Sequence, residues 1–409
     1  MKLGRLKSEL LAEITNNILP FWSTIVLDGV NGGFYGRVDG DGMVHPQAEK
    51  GSILNARILW TFASAFRALG NPEYLKIATR AKEYLTRHFV DKEYGGVYWM
   101  VDCRGNMTNG KKQIYAQSFA VYGLSEYFRA TKDELSLQAA VDIYHLIEKH
   151  GFDRNLRGYF EAFSREWGER EDLRLSERDA NEKKTMNTHL HVLEAYTNLY
   201  RAWPDKGLKK QLRSLIEIFE DKIVNHRNFH LDLFFDENWT SKADIFSYGH
   251  DIEASWLLDE ALRALGDDAL TKRIQDVCLK IAAAACEGLM PDGGLIHEKD
   301  NSTGRIDWNR HWWPNSEALV GFLNAYELTG DGTFLDKALA SWRFISSNLI
   351  DREKGEWFWS VDNNMKPNRA DDKAGFWKCP YHNGRMCLEG IARAGGRGRY
   401  ASSVSSAPR

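Results

Sequence analysis

Polar side chains interrupt two helical patterns in the middle of the chain that are otherwise apolar. In MNTHLHVLEAY, Asn187, His191 and Glu194 recur at i, i+4 and i+7, which places them along one face of a helix. In YGHDIEASW, His250 and Glu253 share a face at i and i+3. A carboxylate beside an imidazole can orient the ring or bind a substrate hydroxyl, as general acid–base catalysis requires. These residues predict a histidine-based catalytic site, with a surface ion pair as the alternative for the second pair.

Two further candidates lie near the ends of the chain. In FWKCPYHNGRMCLEG, Pro380 and Asn383 mark a helix start, and His382 sits beside it. The positive end of the helix dipole disfavours a cationic imidazole, so it helps to keep this histidine neutral, as a base must be. Arg57 interrupts the apolar helix LNARILWTFASAF and could stabilise an oxygen that gains negative charge. The alternatives are a capping role for His382 and a solvent-facing arginine.

The aromatic residues indicate a binding site for a sugar. The chain contains 14 Trp, 16 Tyr and 20 Phe, many of them beside Gly, Asp or Asn in predicted turns, where a sugar ring could stack on them. In HWWPNSEAL, Trp312 and Trp313 precede a helix start and Glu317 falls in its first turn, an arrangement suited to a stacked sugar and its hydroxyls. Packing between helices is the alternative. His189 points away from His191, so this pair predicts no metal site.

A repeated pattern of helix pairs and Gly-aromatic segments is predicted to position these residues. A segment rich in Gly and aromatic residues recurs about every 60–70 residues, with copies at 31–42, 94–105, 157–167, 229–239, 291–300 and 354–364. Pairs of helical patterns lie between the copies, so twelve or so helices are expected. The sequence predicts an all-α (α/α)6 barrel with short β-hairpins at one end; an open solenoid is the alternative.

Domain boundaries follow from the same pattern. Residues 1–394 are predicted to form one catalytic barrel, in which the N-terminal helix ends at Pro20 and pairs with the last helix, HNGRMCLEGIARA, to close the ring. Residues 395–409 are small, polar and Gly-rich, and are predicted to form a disordered tail.

Composition narrows the class of protein. The formal net charge of −3 argues against nucleic acid as a partner, and no apolar run is long enough to cross a membrane. The five cysteines are scattered and lack CxxC spacing, and the N-terminus lacks the features of a secretory signal. A cytoplasmic location is therefore expected, and the aromatic residues in predicted turns make a small-molecule carbohydrate the expected partner.

Taken together, these stretches resemble the N-acylglucosamine 2-epimerase superfamily from about residue 5 to residue 394. The motifs that carry the resemblance are NGGFYGRVDGDG, LNARILW, IYAQSFAVYGLSEYFRAT, KKTMNTHLHVLEAYTNL, YGHDIEASWLL, NRHWWPNSEAL and FWKCPYHNGRMCLE. One departure is Asn315 and Ser316, where the family pattern has Gln and Ala, and this difference is expected to affect specificity.

The resemblance implies an (α/α)6 barrel without a metal or an organic cofactor. It assigns catalysis to His250 and His382 with His191 assisting, and places Arg57 against the substrate oxygens. The implied sugar contacts are Tyr115, Asn187, Glu253, Trp313, Glu317 and Trp377, supported by Trp312.

The implied reaction inverts C2 of the reducing-end glucose of a β-1,4-linked disaccharide such as cellobiose or lactose, through ring opening and an enediolate. The alternatives are an aldose–ketose isomerase acting on mannose or sulfoquinovose, an (α/α)6 glycoside hydrolase that uses paired carboxylates, and a sugar-binding protein without catalysis.

Overall fold

The computed structural model describes residues 2–177 and 179–395, which form two concentric rings of helices. The inner helices are α3 (Ser52–Leu69), α5 (Ile114–Thr131), α7 (Met186–Ala202), α9 (Tyr248–Leu265), α11 (Trp312–Thr329) and α13 (Tyr381–Ala394). The outer helices are α1 (Lys2–Glu13), α2 (Leu19–Thr24), α4 (Pro72–Tyr84), α6 (Glu134–Leu146), α8 (Lys206–Ile218), α10 (Asp268–Ala285) and α12 (Gly332–Phe344). Each inner helix packs against the next, and α13 packs against both α3 and α1. The ring closes as predicted, which confirms the (α/α)6 barrel.

The two rings differ in how their helices meet solvent. Inner helices are enclosed on all sides; every residue from Ser52 to Ala65 in α3 is buried. Outer helices are amphipathic: α8 buries Leu208, Leu212 and Leu215 while its lysines face outward. Inner helices also approach each other closely, since a Cβ at Gly123 of α5 would lie 2.7 Å from the carbonyl oxygen of Ala56 in α3.

Six hairpins confirm the six-unit repeat. In every unit a residue following an outer helix pairs antiparallel with a residue near the start of the Gly-aromatic segment; the pairs are Leu27–Phe34, Val90–Val97, Phe152–Tyr159, Val224–Leu231, Leu289–Leu295 and Ile350–Trp357. Short antiparallel strands extend these hairpins. They are β1 (Lys50–Gly51), β2 (Met100–Val101), β3 (Met107–Asn109), β4 (Lys112–Gln113), β5 (Ala162–Phe163), β6 (Lys184–Thr185), β7 (Phe234–Phe235), β8 (Ile245–Ser247), β9 (Glu298–Asp300), β10 (Ile306–Asp307), β11 (Arg310–His311) and β12 (Ser360–Val361).

Side chains of the inner helices hold these hairpins in place. Gln117, His189, Asp251 and Asn315 each accept a hydrogen bond from the hairpin backbone at Val97, Tyr159, Leu231 and Leu295, over 2.7–2.9 Å. His189 is therefore a structural residue turned away from His191, and Asn315 is a hairpin anchor. Ser316 donates to the carbonyl of Trp312 within α11, and the effect of Asn315 and Ser316 on specificity stays a prediction.

Buried ion pairs tie three hairpins to the strands that lead into the inner helices. Lys50 pairs with Asp28, Lys112 with Asp91, and Lys184 with Asp153, at 2.7, 2.9 and 2.8 Å. All three lysine side chains are fully buried. A buried charge is tolerated only when paired, so each pair fixes the position of a hairpin.

One boundary differs from the sequence prediction. The N-terminal helical segment does not end at Pro20 but continues through a π-helical turn, Ile14–Ile18, into α2. Pro20 falls in the first turn of α2, where a missing N–H costs little. The predicted tail lies outside the described residues apart from Gly395. Among the described helices, none has the length and apolarity needed to cross a membrane.

Candidate active site

One cavity of about 550 Å³ opens where the N-terminal ends of the inner helices meet. Strands β4, β6, β8 and β11 run directly into α5, α7, α9 and α11, so the hairpins fix the first turns of these helices around the cavity. The structure brings ten of the eleven predicted site residues onto its wall: Arg57, Tyr115, Asn187, His191, His250, Glu253, Trp312, Trp313, Trp377 and His382. Glu317 is the exception.

Glu317 lies directly behind His382. Its side chain is fully buried, and its Oε1 is 2.7 Å from Nδ1 of His382. A carboxylate in this position accepts the Nδ1 proton and leaves Nε2 of His382 with a free lone pair. Burial and the nearby guanidinium of Arg57 hold the pKa of His382 well below its ordinary value. His382 is therefore a neutral imidazole supported by a carboxylate, whereas Glu317 has no place on the cavity wall.

His250 has a different partner. Its Nδ1 is 2.8 Å from the hydroxyl of Ser247, which can donate or accept, so either tautomer of His250 is compatible with this contact. Burial, together with the neighbouring His191 and His297, lowers the pKa of His250 to about 3. Trp313 lies against both catalytic candidates, with ring centroids 4.6 Å from His250 and 5.7 Å from His382.

Arg57 contributes a buried positive charge to the cavity. Its Nη2 donates to the hydroxyl of Tyr115 over 2.7 Å, and its Nη1 donates to the carbonyl of Trp377 over 3.2 Å. The central carbon of its guanidinium, Cζ, lies 4.2 Å from the centroid of the Phe119 ring. Within the described ranges no carboxylate pairs with this guanidinium, although only 2% of Arg57 is exposed. A buried cation without a counter-ion favours a ligand that carries or develops negative charge.

His191 completes the histidine set. Its Nδ1 is 3.0 Å from Oε2 of Glu194, and its ring meets Tyr115 edge to face at 4.8 Å. Burial alone would raise the pKa of Glu194, but Arg385 and His191 together lower it to about 2. The ionised carboxylate therefore holds His191 by an Nδ1–H donor.

Arg385, which contacts three carboxylates of the site, was not predicted from the sequence. This fully buried guanidinium contacts the carboxylates of Glu194, Glu253 and Glu317, the last two at 2.5 and 2.7 Å. The three carboxylates come from α7, α9 and α11. Arg385 stands three residues after His382 on α13, so the i, i+3 rule that paired His250 with Glu253 could have found it.

Burial opposes ionisation of two carboxylates in this network. Burial and the nearby Glu317 raise the pKa of Glu253 to about 7. Burial also raises the pKa of Glu317, against the opposing effect of Arg385. Contact with the guanidinium and with the indole N–H of Trp256, at 3.1 Å, favours the ionised form of Glu317.

The cavity wall also includes residues that the sequence analysis did not select: Leu175, Ser176, Glu177, Asp179, Trp359, Asp371, Asp372, Gly375 and Phe376. Trp359 lies in the sixth Gly-aromatic copy, and its ring centroid is 4.5 Å from that of Trp312. Nε1 of Trp359 and Oδ1 of Asn187 have no hydrogen-bond partner among residues 2–177 and 179–395. A ligand with hydroxyl groups can satisfy both atoms.

One cluster, formed by two residues of this wall and Glu317 behind them, has the donor types of a metal site. Ligand atoms of Glu253, Glu317 and His382 lie within 4.8 Å of one another. Arg385 already contacts both of these carboxylates, so a metal cation would have to face a guanidinium. The arrangement suits a proton-transfer site better than a metal centre.

Fold and site together define an (α/α)6 barrel with a histidine-lined, aromatic cavity. The family model of N-acylglucosamine 2-epimerase (GlcNAc 2-epimerase) matches residues 33–384. The chain is 55% identical to the cellobiose 2-epimerase of Bacteroides fragilis, covering 94% of this chain and 98% of that protein. It is 43% identical to the cellobiose 2-epimerase of Dictyoglomus turgidum, covering 96% and 100%.

A solved structure agrees with these sequence matches. The cellobiose 2-epimerase from Bacillus thermoamylovorans superposes with a TM-score of 0.91 at 45% identity, covering 95% of this chain and 100% of that chain. The chain belongs to the N-acylglucosamine 2-epimerase family.

Proposed function

We propose that this chain catalyses the 2-epimerisation of cellobiose and related β-1,4-linked disaccharides at the reducing-end glucose. The proposal places the reaction on His250, His382 and Arg57. The observation that carries it is a buried, unpaired guanidinium in the same cavity as two neutral imidazoles. Extensive similarity to cellobiose 2-epimerases supports the choice of substrate.

The residue types match the steps of the reaction. A closed pyranose must first open, which moves a proton between the ring oxygen and the C1 hydroxyl. A base then removes the C2 proton, and the electrons of that C–H bond form the enediolate, whose negative oxygens face Arg57. Return of a proton to the opposite face of C2 gives the mannose-ended epimer. Substrate and product are isomers, so the reaction needs no net oxidant or reductant.

The partners of the two histidines suggest a division of roles. Glu317 stabilises the imidazolium that forms when Nε2 of His382 takes a proton. His250 has only the Ser247 hydroxyl at Nδ1, so its imidazolium gains less stabilisation and gives up a proton more readily. Because Glu317 fixes the Nδ1 proton and leaves the lone pair of Nε2 free, we assign proton removal to His382 and proton return to His250.

Location and domain organisation belong to the same proposal. All five cysteines are free, which is compatible with a reducing cytoplasm. The helical ring spans nearly the whole described chain, in keeping with one catalytic domain over residues 1–394.

The decisive experiment is incubation with cellobiose in D₂O after chelator treatment. We expect glucosyl-mannose with deuterium at C2, detected by NMR and mass spectrometry. Product without deuterium would exclude exchange at C2, and loss of activity on chelation would contradict a metal-independent reaction. A ketose from free mannose with cellobiose unchanged would indicate an isomerase, and free glucose would indicate a hydrolase.

Variants test the assigned roles. His250→Asn and His382→Asn should each lower kcat by a factor of about 10²–10⁴, while circular dichroism stays unchanged. His226→Asn is the matched control, because His226 is exposed and bonds only the backbone carbonyl of Glu220. Full activity in either cavity variant would overturn its catalytic assignment.

A further inference from the structure

Two histidines and an aspartate converge on the hairpin that precedes α11. His297 stands just before β9, Asp307 ends β10 and His311 ends β11. Nδ1 or Nε2 of each histidine and one carboxylate oxygen of Asp307 lie within 4.8 Å of one another. We propose that His297, Asp307 and His311 form a binding site for a divalent transition-metal ion, best represented by Zn²⁺.

The distances are close to those of a coordination shell. Oδ2 of Asp307 is 3.3 Å from Nδ1 of His297 and 3.8 Å from Nε2 of His311. Ligand atoms about 2.1 Å from a tetrahedral zinc ion are separated from each other by roughly 3.4 Å. The two distances from Asp307 are therefore already close to tetrahedral spacing, and a water molecule can fill the fourth position.

The histidine rings must also turn. They are stacked with centroids 4.2 Å apart and an angle of 4° between their planes. Lone pairs of parallel rings run side by side and do not converge, so binding requires the rings to rotate apart. The side chains of His297 and His311 are 21% and 11% exposed, which leaves room for this rotation on the solvent side.

A second layer of contacts fixes the carboxylate. Asn309 donates to Oδ1 of Asp307 from its backbone N–H at 3.0 Å and from Nδ2 at 2.7 Å. Oδ1 is thereby occupied and Oδ2 faces the histidines. The backbone N–H of His297 donates to the carbonyl of Asp307 over 3.2 Å, which locks the two strands together. Outer hydrogen bonds of this kind orient ligands in protein metal sites.

This site differs from the cluster on the cavity wall. The carboxylates of Glu253 and Glu317 already share the positive charge of Arg385. No guanidinium or ammonium is paired with Asp307 within the described part of the chain; its ion-pair partners are the two histidines. A cation added to the protein should therefore choose the hairpin site.

Metal binding at this site should also alter the contacts of Trp313 in the cavity. The ring of His297 meets Trp313 edge to face at 6.0 Å, and Trp313 lies against His250. Rotation of His297 toward a metal ion removes a support of Trp313. Zinc should therefore lower turnover of cellobiose; this second effect rests on the proposed function, whereas metal binding does not.

Isothermal titration calorimetry of the chelator-treated full chain with Zn²⁺ tests the site. We expect saturable binding of one ion per chain. His297→Ala and Asp307→Asn should each weaken it by at least tenfold, and Asn309→Ala by about tenfold. His226→Ala, which alters an exposed histidine elsewhere, should leave the titration unchanged.

Three outcomes would overturn the proposal. The first is the absence of saturable zinc binding to the wild-type chain. The second is binding that His297→Ala and Asp307→Asn both leave intact, as expected if free cysteines take the ion. The third is binding that cellobiose displaces and His297→Ala does not alter, which would place zinc in the cavity. If zinc binds as expected but does not inhibit, the site stands and its link to Trp313 fails.

Discussion

Replacement of Glu317 by Gln tests the link between the buried carboxylate network and catalysis. Oε1 of Glu317 faces Nδ1 of His382 and Nη2 of Arg385, both at 2.7 Å, while Oε2 accepts from the indole of Trp256 at 3.1 Å. Glutamine offers one acceptor oxygen for these donors. If its oxygen faces Trp256, its NH₂ donates to Nδ1 and moves the His382 proton to Nε2, the atom that must act as base.

The expected magnitudes follow from this geometry. Loss of the base should lower kcat by a factor of about 10²–10⁴, equivalent to about 3–5 kcal/mol of barrier. In the other orientation the indole N–H loses its acceptor, so the free energy of unfolding should fall by about 1–3 kcal/mol. KM should change little, because Glu317 does not line the cavity.

The assay measures initial rates of cellobiose epimerisation together with urea unfolding. Glu148→Gln is the matched control, since Glu148 is a partly buried carboxylate that accepts from the hydroxyls of Tyr159 and Tyr196 at 2.8 and 2.6 Å, away from the cavity. It should lose stability and keep its kcat. The reasoning is refuted if Glu317→Gln retains both its kcat within threefold and the stability of the wild type, or if both variants lose turnover equally.

Three further variants test separate parts of the structure. Arg57→Met should lower kcat by about 10²–10³ without lowering the melting temperature, because it removes a buried cation that has no carboxylate partner; marked unfolding in a thermal melt would contradict this. Glu253 has a pKa of about 7 in the native state, above the ordinary value of 4.5, so the native state binds its proton more tightly than the unfolded state does. The free energy of unfolding should therefore fall by on the order of 3 kcal/mol as the pH rises from about 4.5 to 7. Glu253→Gln should remove that slope in unfolding titrations, and an unchanged difference between pH 4.5 and 7 would exclude it. Lys184→Met leaves Asp153 buried without its partner and should cost about 3–5 kcal/mol in urea unfolding with kcat unchanged, whereas a loss below 1 kcal/mol would show that the pair is dispensable.

Much of this fold could be predicted because it repeats. A segment of Gly and aromatic residues recurs in every unit, and each copy contributes the second strand of a hairpin. Helical periodicity between the copies then fixes the number of helices. What the sequence did not reveal are partners distant in the chain, such as Lys50 with Asp28 or His189 with Tyr159, since a lysine or histidine has no local pattern that names its acceptor. The role of Pro20 was predicted wrongly because a proline can either end a helix or begin one. Here a π-helical turn precedes it and leads the chain into α2, which Pro20 helps to begin.

The site was partly predictable for a related reason. Polar residues on an apolar helix stand out, so His191, His250 and Glu253 could be selected from spacing alone. Tyr115 and Trp377 could not, because an aromatic residue beside apolar neighbours resembles core packing. Glu317 was expected in the first turn of a helix that begins after Trp312 and Trp313, but α11 begins at Trp312 and places Glu317 in its second turn, behind the cavity wall. Spacing along the sequence gives the direction of a side chain, whereas the depth of the cavity depends on its neighbours in three dimensions.

Arg385 shows how charge and proton transfer are separated in this cavity. Three carboxylates surround its guanidinium: Glu317 orients His382, Glu194 orients His191, and Glu253, which lines the cavity, has a pKa of about 7. Negative charge is therefore concentrated behind the base, where it stabilises an imidazolium. The unpaired positive charge of Arg57 stands on the cavity wall, where an enediolate would form. An unpaired carboxylate at the position of Arg57 would repel the enediolate, and a neutral side chain in place of Glu317 would no longer stabilise the imidazolium of His382. The arrangement thus favours proton abstraction and anion stabilisation together, which neither the histidines nor the arginine could achieve alone.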